Sequence, residues 1–321
     1  MKMILQVIGV IVVVALVGVG VGVGVWAWTP DLKRLDLEAK YLRGPGDLIE
    51  VEGVRLHVRD DGPREAPAVL LLHGMGSSLR TWEPWAEALD DRFRVIRIDL
   101  PGAGLSAADP TGDYSDERSL AVLNALQDRL QIARWSLVGN SIGGRIAWRY
   151  AAAHPDRVDR LVLISPDGFA SPGFEYGKPA EVPSVLEAMR FALPKSLLRA
   201  NIAVGYADPA ALTQATTTRY HDLMRAPGGR AALLARMRQT VLIEPEPRLR
   251  AIKGPVLLLW GQKDAMIPIA NAQDYLKALP DARLVVLDDL GHLPMEEDPA
   301  RSLPPVRAFL CEGRCASVPA P

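Results

Sequence analysis

The sequence predicts an α/β fold with a mostly parallel, eight-stranded sheet, helices on both faces and a helical cap. Short continuous runs of Val, Ile and Leu alternate with amphipathic stretches, which is the pattern of strands buried between two layers of helices. Residues 168–245 interrupt this alternation with helical pieces and no good strand. We therefore expect that segment to form a cap inserted into one core.

The core elements follow in a regular order. Two short strands are expected within 47–62, joined by a Glu52-Gly53 turn. Six more strands are predicted at 68–74, 93–100, 135–140, 160–165, 254–260 and 282–289, and helices at 77–91, 115–130, directly after 141, 269–279 and 299–311. Active groups in such sheets gather at the carboxyl ends of the strands, which narrows the search for chemistry.

The first 28 residues predict a transmembrane anchor. Residues 3–28 carry no charge, and as a helix they would measure about 39 Å, more than the roughly 30 Å of bilayer hydrocarbon. Trp26 and Trp28 end the run, where indole rings favour the membrane interface. A cleavable signal peptide is the alternative, although its apolar core would be about 7–15 residues long. The basic residues flanking the run favour a cytoplasmic catalytic domain.

These patterns divide the chain into six parts. They are an anchor (1–28), a linker (29–46), a first core part (47–167), the cap (168–245), a second core part (246–312) and a tail (313–321).

Composition excludes several classes of function. A net charge of −1 provides no basic field for nucleic acid. The two cysteines, Cys311 and Cys315, are interpreted as free thiols, with a short-loop disulfide as the alternative. Without a nearby histidine they make a poor zinc site, so no metal and no organic cofactor is expected. The oligomeric state is left open.

The segment GNSIGG, residues 139–144, places a serine between glycines where a strand gives way to a helix. The G-x-S-x-G pattern in this context is typical of a nucleophile held on a sharp turn. Ser141 is therefore the predicted nucleophile. The competing interpretation is a serine that caps the helix.

A serine hydroxyl needs a base, and the base needs an orienting acid. Among the five histidines, His292 directly follows the last predicted strand and is the candidate base. Asp264 follows the strand before it and is the candidate acid. Asp167, which also follows a strand, remains the alternative, whereas Asp288 and Asp289 are too close to His292 in sequence.

The oxyanion of the transition state needs backbone donors. The predicted donors are the amide of Ile142, next after the nucleophile, and the amide of Met75 in the turn HGMG. His73 in the same turn is expected to brace the loop.

The motifs HGMG, DLPGAGLS, GNSIGG, GQKD and GHLPMEEDP, in this order, resemble the alpha/beta-hydrolase superfamily over about residues 47–312. The resemblance implies a Ser141–Asp264–His292 triad, with Met75 and Ile142 forming the oxyanion hole. The anchor ahead of GNSIGG is similar to membrane-anchored monoacylglycerol lipases, and GNSxGG is also similar to carbon–carbon hydrolases of ring-cleavage products.

The resulting expectation is a membrane-anchored serine hydrolase that cleaves carboxylic esters, including monoacylglycerol-like lipids, through an acyl-enzyme. A carbon–carbon hydrolase with the same triad is the alternative, and a non-catalytic ligand-binding protein is a remote one. His221, Met189 and Phe191 in the cap are candidate substrate contacts.

Overall fold

An eight-stranded sheet forms the centre of the computed structural model, which describes residues 22, 24–170 and 175–315. The strands are Leu48–Val51 (β1), Val54–Asp61 (β2), Ala68–Leu72 (β3), Arg94–Ile98 (β4), Trp135–Asn140 (β5), Val158–Ile164 (β6), Val256–Gly261 (β7) and Ala282–Leu287 (β8). Their order in the sheet is β1-β2-β4-β3-β5-β6-β7-β8. The pairs β1–β2 and β2–β4 are antiparallel and all others are parallel. The predicted fold class is confirmed.

Burial explains why the central strands read as continuous apolar runs. Every residue of β3, β5 and β7 is buried, because helices cover both faces of the sheet there. The edge strand β8 retains exposed positions. Two separate apolar clusters, one on each face, hold these helices against the sheet.

A helix is present in each core stretch where the sequence predicted one, and three further helices occur among the described residues, one of them within the predicted linker 29–46. The helices are Arg34–Tyr41 (α1), Glu83–Leu89 (α2), Asp116–Arg129 (α3), Ile142–Ala153 (α4), Lys195–Ala203 (α5), Gln214–Met224 (α6), Gly229–Gln239 (α7), Glu246–Leu249 (α8), Asn271–Ala278 (α9), Pro294–Glu297 (α10) and Pro299–Cys311 (α11). The stretch predicted as one helix over 77–91 begins with a 3-10 turn at Leu79–Trp82, and α2 follows it.

Between β6 and β7 the chain forms helices α5, α6 and α7, preceded by a 3-10 segment at Ser184–Arg190. Isolated bridges from Tyr176 to Leu242 and from Pro179 to Val241 bring the two ends of this insertion together. A small apolar cluster of its own stabilises α5 and α6. The insertion therefore packs as a unit beside the carboxyl ends of the strands.

The predicted anchor falls mostly on residues 1–21, which lie outside the described residues. Residues 24–27, at its end, are helical. In the described part of the chain, no helix has the length and apolar character that crossing a bilayer requires.

At the other end, Cys311 and Cys315 form a disulfide. The interpretation as free thiols is therefore wrong. The turn that follows α11 brings the two Cα atoms to 4.8 Å, within the range that a disulfide bridges.

Candidate active site

Ser141 occupies a strained turn between β5 and α4. Its φ of 55° and ψ of −123° lie outside the regions that a residue with a side chain ordinarily adopts. Glycines allow this turn, because a Cβ on Gly139 would lie 2.3 Å from the Gly143 carbonyl oxygen. The turn lifts the serine to the carboxyl edge of the sheet, as the motif predicted.

The structure brings His292 and Asp264 together. His292 Nδ1 lies 2.8 Å from Asp264 Oδ2, and both side chains are buried. Because an ionised carboxylate only accepts hydrogen bonds, Nδ1 donates and Nε2 is left as the basic atom. No hydrogen bond joins His292 to the Ser141 hydroxyl in this arrangement, a common state before substrate binds.

The Asp264 carboxyl is held in its ionised form. Burial acts to raise its pKa, but the hydrogen bond and charge of His292 and the Ile267 amide outweigh burial and hold the pKa below its ordinary value. Asp264 Oδ1 accepts hydrogen bonds from the amides of Met266 and Ile267, both at 2.8 Å. The carboxylate can therefore fix the His292 ring and stabilise its protonated form.

The backbone around His292 is tied to both core and cap. Asn140, the residue before Ser141, donates from Nδ2 to the His292 carbonyl at 3.0 Å. The His292 amide donates to the carbonyl of Gly205, in the insertion, at 2.8 Å. The position of His292 thus depends on the strand end beside Ser141 and on the cap.

Two backbone amides are free to bind an oxyanion. Among the described residues, the amides of Met75 and Ile142 have no hydrogen-bond acceptor. Gly74 lets their loops approach closely, since a Cβ there would lie 3.3 Å from Ser141 Cβ. Met75 and Ile142 border one cavity, and Ile142 directly follows Ser141 in the chain.

His73 braces the oxyanion loop, as the sequence predicted. Its Nδ1 donates to the Gly74 carbonyl at 2.8 Å and its Nε2 accepts the Leu100 amide at 3.0 Å. Since the Gly74 carbonyl and the Met75 amide belong to one planar peptide, this bond also fixes the direction of the amide. Burial lowers the pKa of His73, which favours the neutral ring that these two bonds require.

The cavity beside the two amides lies between core loops and the cap. Its walls are residues 73–78 and 100–104, together with Ile142, Tyr220, Leu223, Met224, Gly229, Arg230, Ala232, Leu233 and Arg236. Arg230 pairs with Asp31 at 2.6 Å. Arg236 is buried and contacts the Pro101 and Tyr114 carbonyls and the Ser119 hydroxyl, but no carboxylate among the described residues pairs with it.

Asp167, the alternative acid, is held elsewhere. Both of its carboxylate oxygens accept hydrogen bonds from Arg145 Nη1 at 2.9 Å. Arg145 is buried in α4 and also pairs with Asp116 at 3.0 Å. The structure therefore gives the position beside His292 to Asp264.

Sequence reasoning missed one buried polar cluster. Glu296 reads as a charge at a helix start, but its side chain is only 6% exposed and pairs with Arg219 of α6. It also accepts hydrogen bonds from the hydroxyls of Tyr206 at 2.6 Å and Tyr220 at 3.2 Å. The Tyr220 hydroxyl is 3.1 Å from Ser77 Oγ in the oxyanion loop. We call these five side chains the cap–core cluster. Its one sequence signal is an acidic residue four positions after the base.

The three candidate substrate contacts in the cap lie away from this cavity. His221 Nε2 contacts the Leu193 carbonyl at 3.0 Å, on the other side of α6. Phe191 is exposed and stacks on Trp28, with ring centroids 6.2 Å apart. Met189 packs within the cap. The structure does not bring these residues to Ser141, because α6 and the 3-10 segment Ser184–Arg190 with the residue after it direct these side chains outward or into the cap itself.

The remaining histidines have structural partners. His57 Nδ1 lies 2.7 Å from Asp99 Oδ2 in the core, and His154 ends α4. Within the described ranges, no three His, Cys, Asp or Glu side chains cluster as metal ligands.

Comparison with known proteins agrees with this fold. Residues 67–299 match a family model described as the alpha/beta hydrolase fold. An uncharacterised Mycobacterium tuberculosis protein is 32% identical over 81% of this chain and 79% of its own length. A 2-hydroxy-6-oxononadienedioate/2-hydroxy-6-oxononatrienedioate hydrolase of Burkholderia vietnamiensis is 30% identical over 79% of this chain and 89% of its own. The crystal structure of a bacterial membrane phospholipase A superposes with a TM-score of 0.70 at 26% identity, covering 98% of this chain and 100% of that one.

Proposed function

Since the chain belongs to the alpha/beta-hydrolase family, we propose that it is a membrane-anchored serine hydrolase that cleaves carboxylic esters through an acyl-enzyme. One observation carries the proposal. A serine on a strained turn, a buried His292–Asp264 pair and two unpaired amides converge at one edge of the sheet.

The reaction follows from the positions of these groups. Ser141 Oγ attacks the ester carbonyl carbon while His292 Nε2 takes the hydroxyl proton. The amides of Met75 and Ile142 hold the oxyanion, and the protonated His292 gives its proton to the leaving alcohol. Water then attacks the acyl-enzyme, His292 accepts its proton, and the acid departs as Ser141 recovers its hydrogen. Asp264 remains ionised throughout.

The walls of the cavity support an ester with an apolar acyl group. Leu100, Ile142, Leu223 and Leu233 face it together with glycines, and its one ion-paired arginine, Arg230, is already neutralised by Asp31. An acyl chain bound against these side chains would remove apolar surface from water, which contributes favourable binding free energy. The extended match to a membrane phospholipase A agrees with a lipid ester.

A carbon–carbon hydrolase is the second candidate, and Arg236 favours it. This buried guanidinium borders the cavity without a carboxylate partner among the described residues. Burial lowers its pKa to about 10, because the charged guanidinium is poorly solvated there. A bound anion would therefore stabilise the charged form of Arg236. The substrates named for the Burkholderia relative are dicarboxylates, which would present such an anion.

The membrane anchor is a further part of the proposal. It is supported by the uncharged run at residues 3–25 and by the two tryptophans that follow it.

Turnover of two substrate classes tests the reaction. Detergent-solubilised full-length protein should hydrolyse p-nitrophenyl esters and react at Ser141 with a fluorophosphonate probe. It should act far more slowly on a 2-hydroxy-6-oxohexa-2,4-dienoate. The opposite order of kcat/KM would select the carbon–carbon hydrolase. If neither substrate is turned over and the probe does not label Ser141, both candidates are rejected.

A further inference from the structure

One side of the cap, next to the N-terminal segment, exposes an unusual number of large apolar side chains. In the described part of the N-terminal segment and the cap, seven such side chains have more than half of their surface in solvent. We call five of them the interfacial face: Trp26, Trp28, Phe191, Leu197 and Val204. Scattered exposed apolar residues are ordinary, but a contiguous group marks an interaction surface.

Contacts within the structure join the N-terminal segment to the cap beside this face. Trp28 stacks on Phe191 with an angle of 9° between the rings, and the Thr29 amide donates to the Phe191 carbonyl at 2.8 Å. The N-terminal segment is thereby fixed to the cap. Leu197 and Val204 are seven residues apart along α5, so they share its outer side, while Leu198 is buried beneath.

A groove with basic residues adjoins these apolar side chains. Trp26, Trp28, Lys195, His221 and Arg225 line it. Lys195 Nζ contacts the Thr218 hydroxyl, and Arg225 Nε contacts the Pro30 carbonyl. Among the described residues, neither cation has a carboxylate partner.

We propose that the interfacial face docks into the headgroup region of an anionic lipid bilayer. The uncharged run of residues 3–25 ends on this face, so a bilayer that received the run would lie against the cap. Exposed indoles favour the interface between headgroups and hydrocarbon, and unpaired cations favour anionic lipid. The inference rests on the membrane anchoring within the proposed function and is independent of the reaction.

Docking at this face would place lipid close to the cavity that Met75 and Ile142 border. Tyr220, Leu223 and Met224 of α6 face the cavity, whereas His221 and Arg225 face the groove. A single helix, about 10 Å across, therefore separates the two. A substrate drawn from the bilayer would have a short path to Ser141.

A fluorophore at position 197 tests the proposal in the full-length protein. The two cysteines of the chain are joined in a disulfide, so Leu197→Cys adds the one free thiol. The variant would carry a nitrobenzoxadiazole label and be reconstituted into vesicles of phosphatidylcholine, alone or in equal mixture with phosphatidylserine. Lys253→Cys, exposed before β7 at the opposite edge of the sheet, is the matched control.

We expect the label at 197 to shift to shorter wavelength and to be quenched by nitroxide-labelled lipid, more strongly in the anionic vesicles. The label at 253 should remain in water. Lys195→Gln should lower the ratio of docked to undocked protein about fivefold, the contribution of one cation near an anionic surface. Lys253→Gln should leave that ratio unchanged.

Three results would overturn the inference. If the protein floats with the vesicles but the label at 197 behaves like the one at 253, the protein is anchored in the membrane but the interfacial face does not dock on it. If the label is shielded from iodide without quenching by nitroxide lipid, a second copy of the chain covers the face. If the protein does not float with vesicles, both the anchor and the docking fail, while esterase activity would still stand.

Discussion

At the scale of single residues, the structure gives different partners to two aspartates that the sequence offered as alternatives for one role. Asp264 orients His292, whereas Asp167 neutralises Arg145. Both aspartates follow a strand, so only their partners distinguish them. This assignment leads to two predictions.

Ser141→Ala should reduce esterase kcat by about 10³-fold or more, because members of a triad act as a unit. The fold should persist, since the substitution removes one hydroxyl. Hydrolysis of a p-nitrophenyl ester measures the loss, and circular dichroism checks the fold. Retention of activity, or fluorophosphonate labelling of the variant at another serine, would reject Ser141 as the nucleophile.

Asp264→Asn should reduce kcat by up to ~10⁴-fold, because an amide at this position no longer fixes the His292 tautomer. Asp288→Asn, an exposed aspartate near His292 in sequence, is the control and should be nearly silent. If the Asp288 variant loses activity and the Asp264 variant keeps it, the assignment of Asp264 as the orienting acid is wrong.

At the scale of elements, the cap–core cluster connects α6 with α10 and with the oxyanion loop. Its centre is the buried carboxylate of Glu296, which pairs with Arg219 and accepts two tyrosine hydroxyls. Removing one partner of a buried ion pair leaves the other charge uncompensated, which costs more than the pair contributes. The cap should therefore depend on this carboxylate.

Glu296→Gln should lower the free energy of unfolding by about 3 kcal/mol, since Arg219 is then left without its carboxylate. Denaturant titration measures this change. Glu246→Gln breaks a pair with Arg250 in which both side chains are more than half exposed, and should cost less than about 1 kcal/mol. Equal effects of the two variants would show that the cluster does not hold the cap.

At the scale of the whole molecule, buried histidines connect stability with pH. Burial lowers the pKa of His73 below its ordinary value, and the same direction holds for the less buried His154 and His221. Below about pH 6.5 the unfolded chain thus binds protons that the folded chain does not.

The free energy of unfolding should therefore be steady above pH 6.5 and decline as the pH falls below it. Urea titrations at pH 7.5 and 5.5 measure the difference. The amide of the His73→Asn variant can still donate and accept hydrogen bonds but does not titrate. This variant should therefore lose less of its free energy of unfolding as the pH falls. Stability that is equal at both pH values would contradict the burial argument.

The full-length protein should remain with membranes through high-salt and carbonate washes and should require detergent for release. The uncharged run of residues 3–28 is long enough to span a bilayer as a helix. Fractionation followed by mass spectrometry of the N-terminus measures this. Intact protein in the soluble fraction would refute the anchor, and a mature form beginning near Trp28 would identify a signal peptide.

The sequence alone was sufficient for the sheet, the insertion and the turn at Ser141. Each depends on neighbours in the chain: apolar periodicity marks the strands, and glycines at 139 and 143 allow the turn. Such patterns are readable because a strand or a turn is determined over a few residues. The position of His292 directly after the last predicted strand then made it the candidate base.

Only the tertiary structure decided which distant side chains meet. It paired Asp264 with His292 and Asp167 with Arg145, and it buried Glu296 against Arg219, 77 residues away. It also turned His221 and Phe191 away from Ser141 and brought Phe191 against Trp28. These outcomes depend on how helices pack and rotate against the sheet, which residue type and spacing leave undetermined.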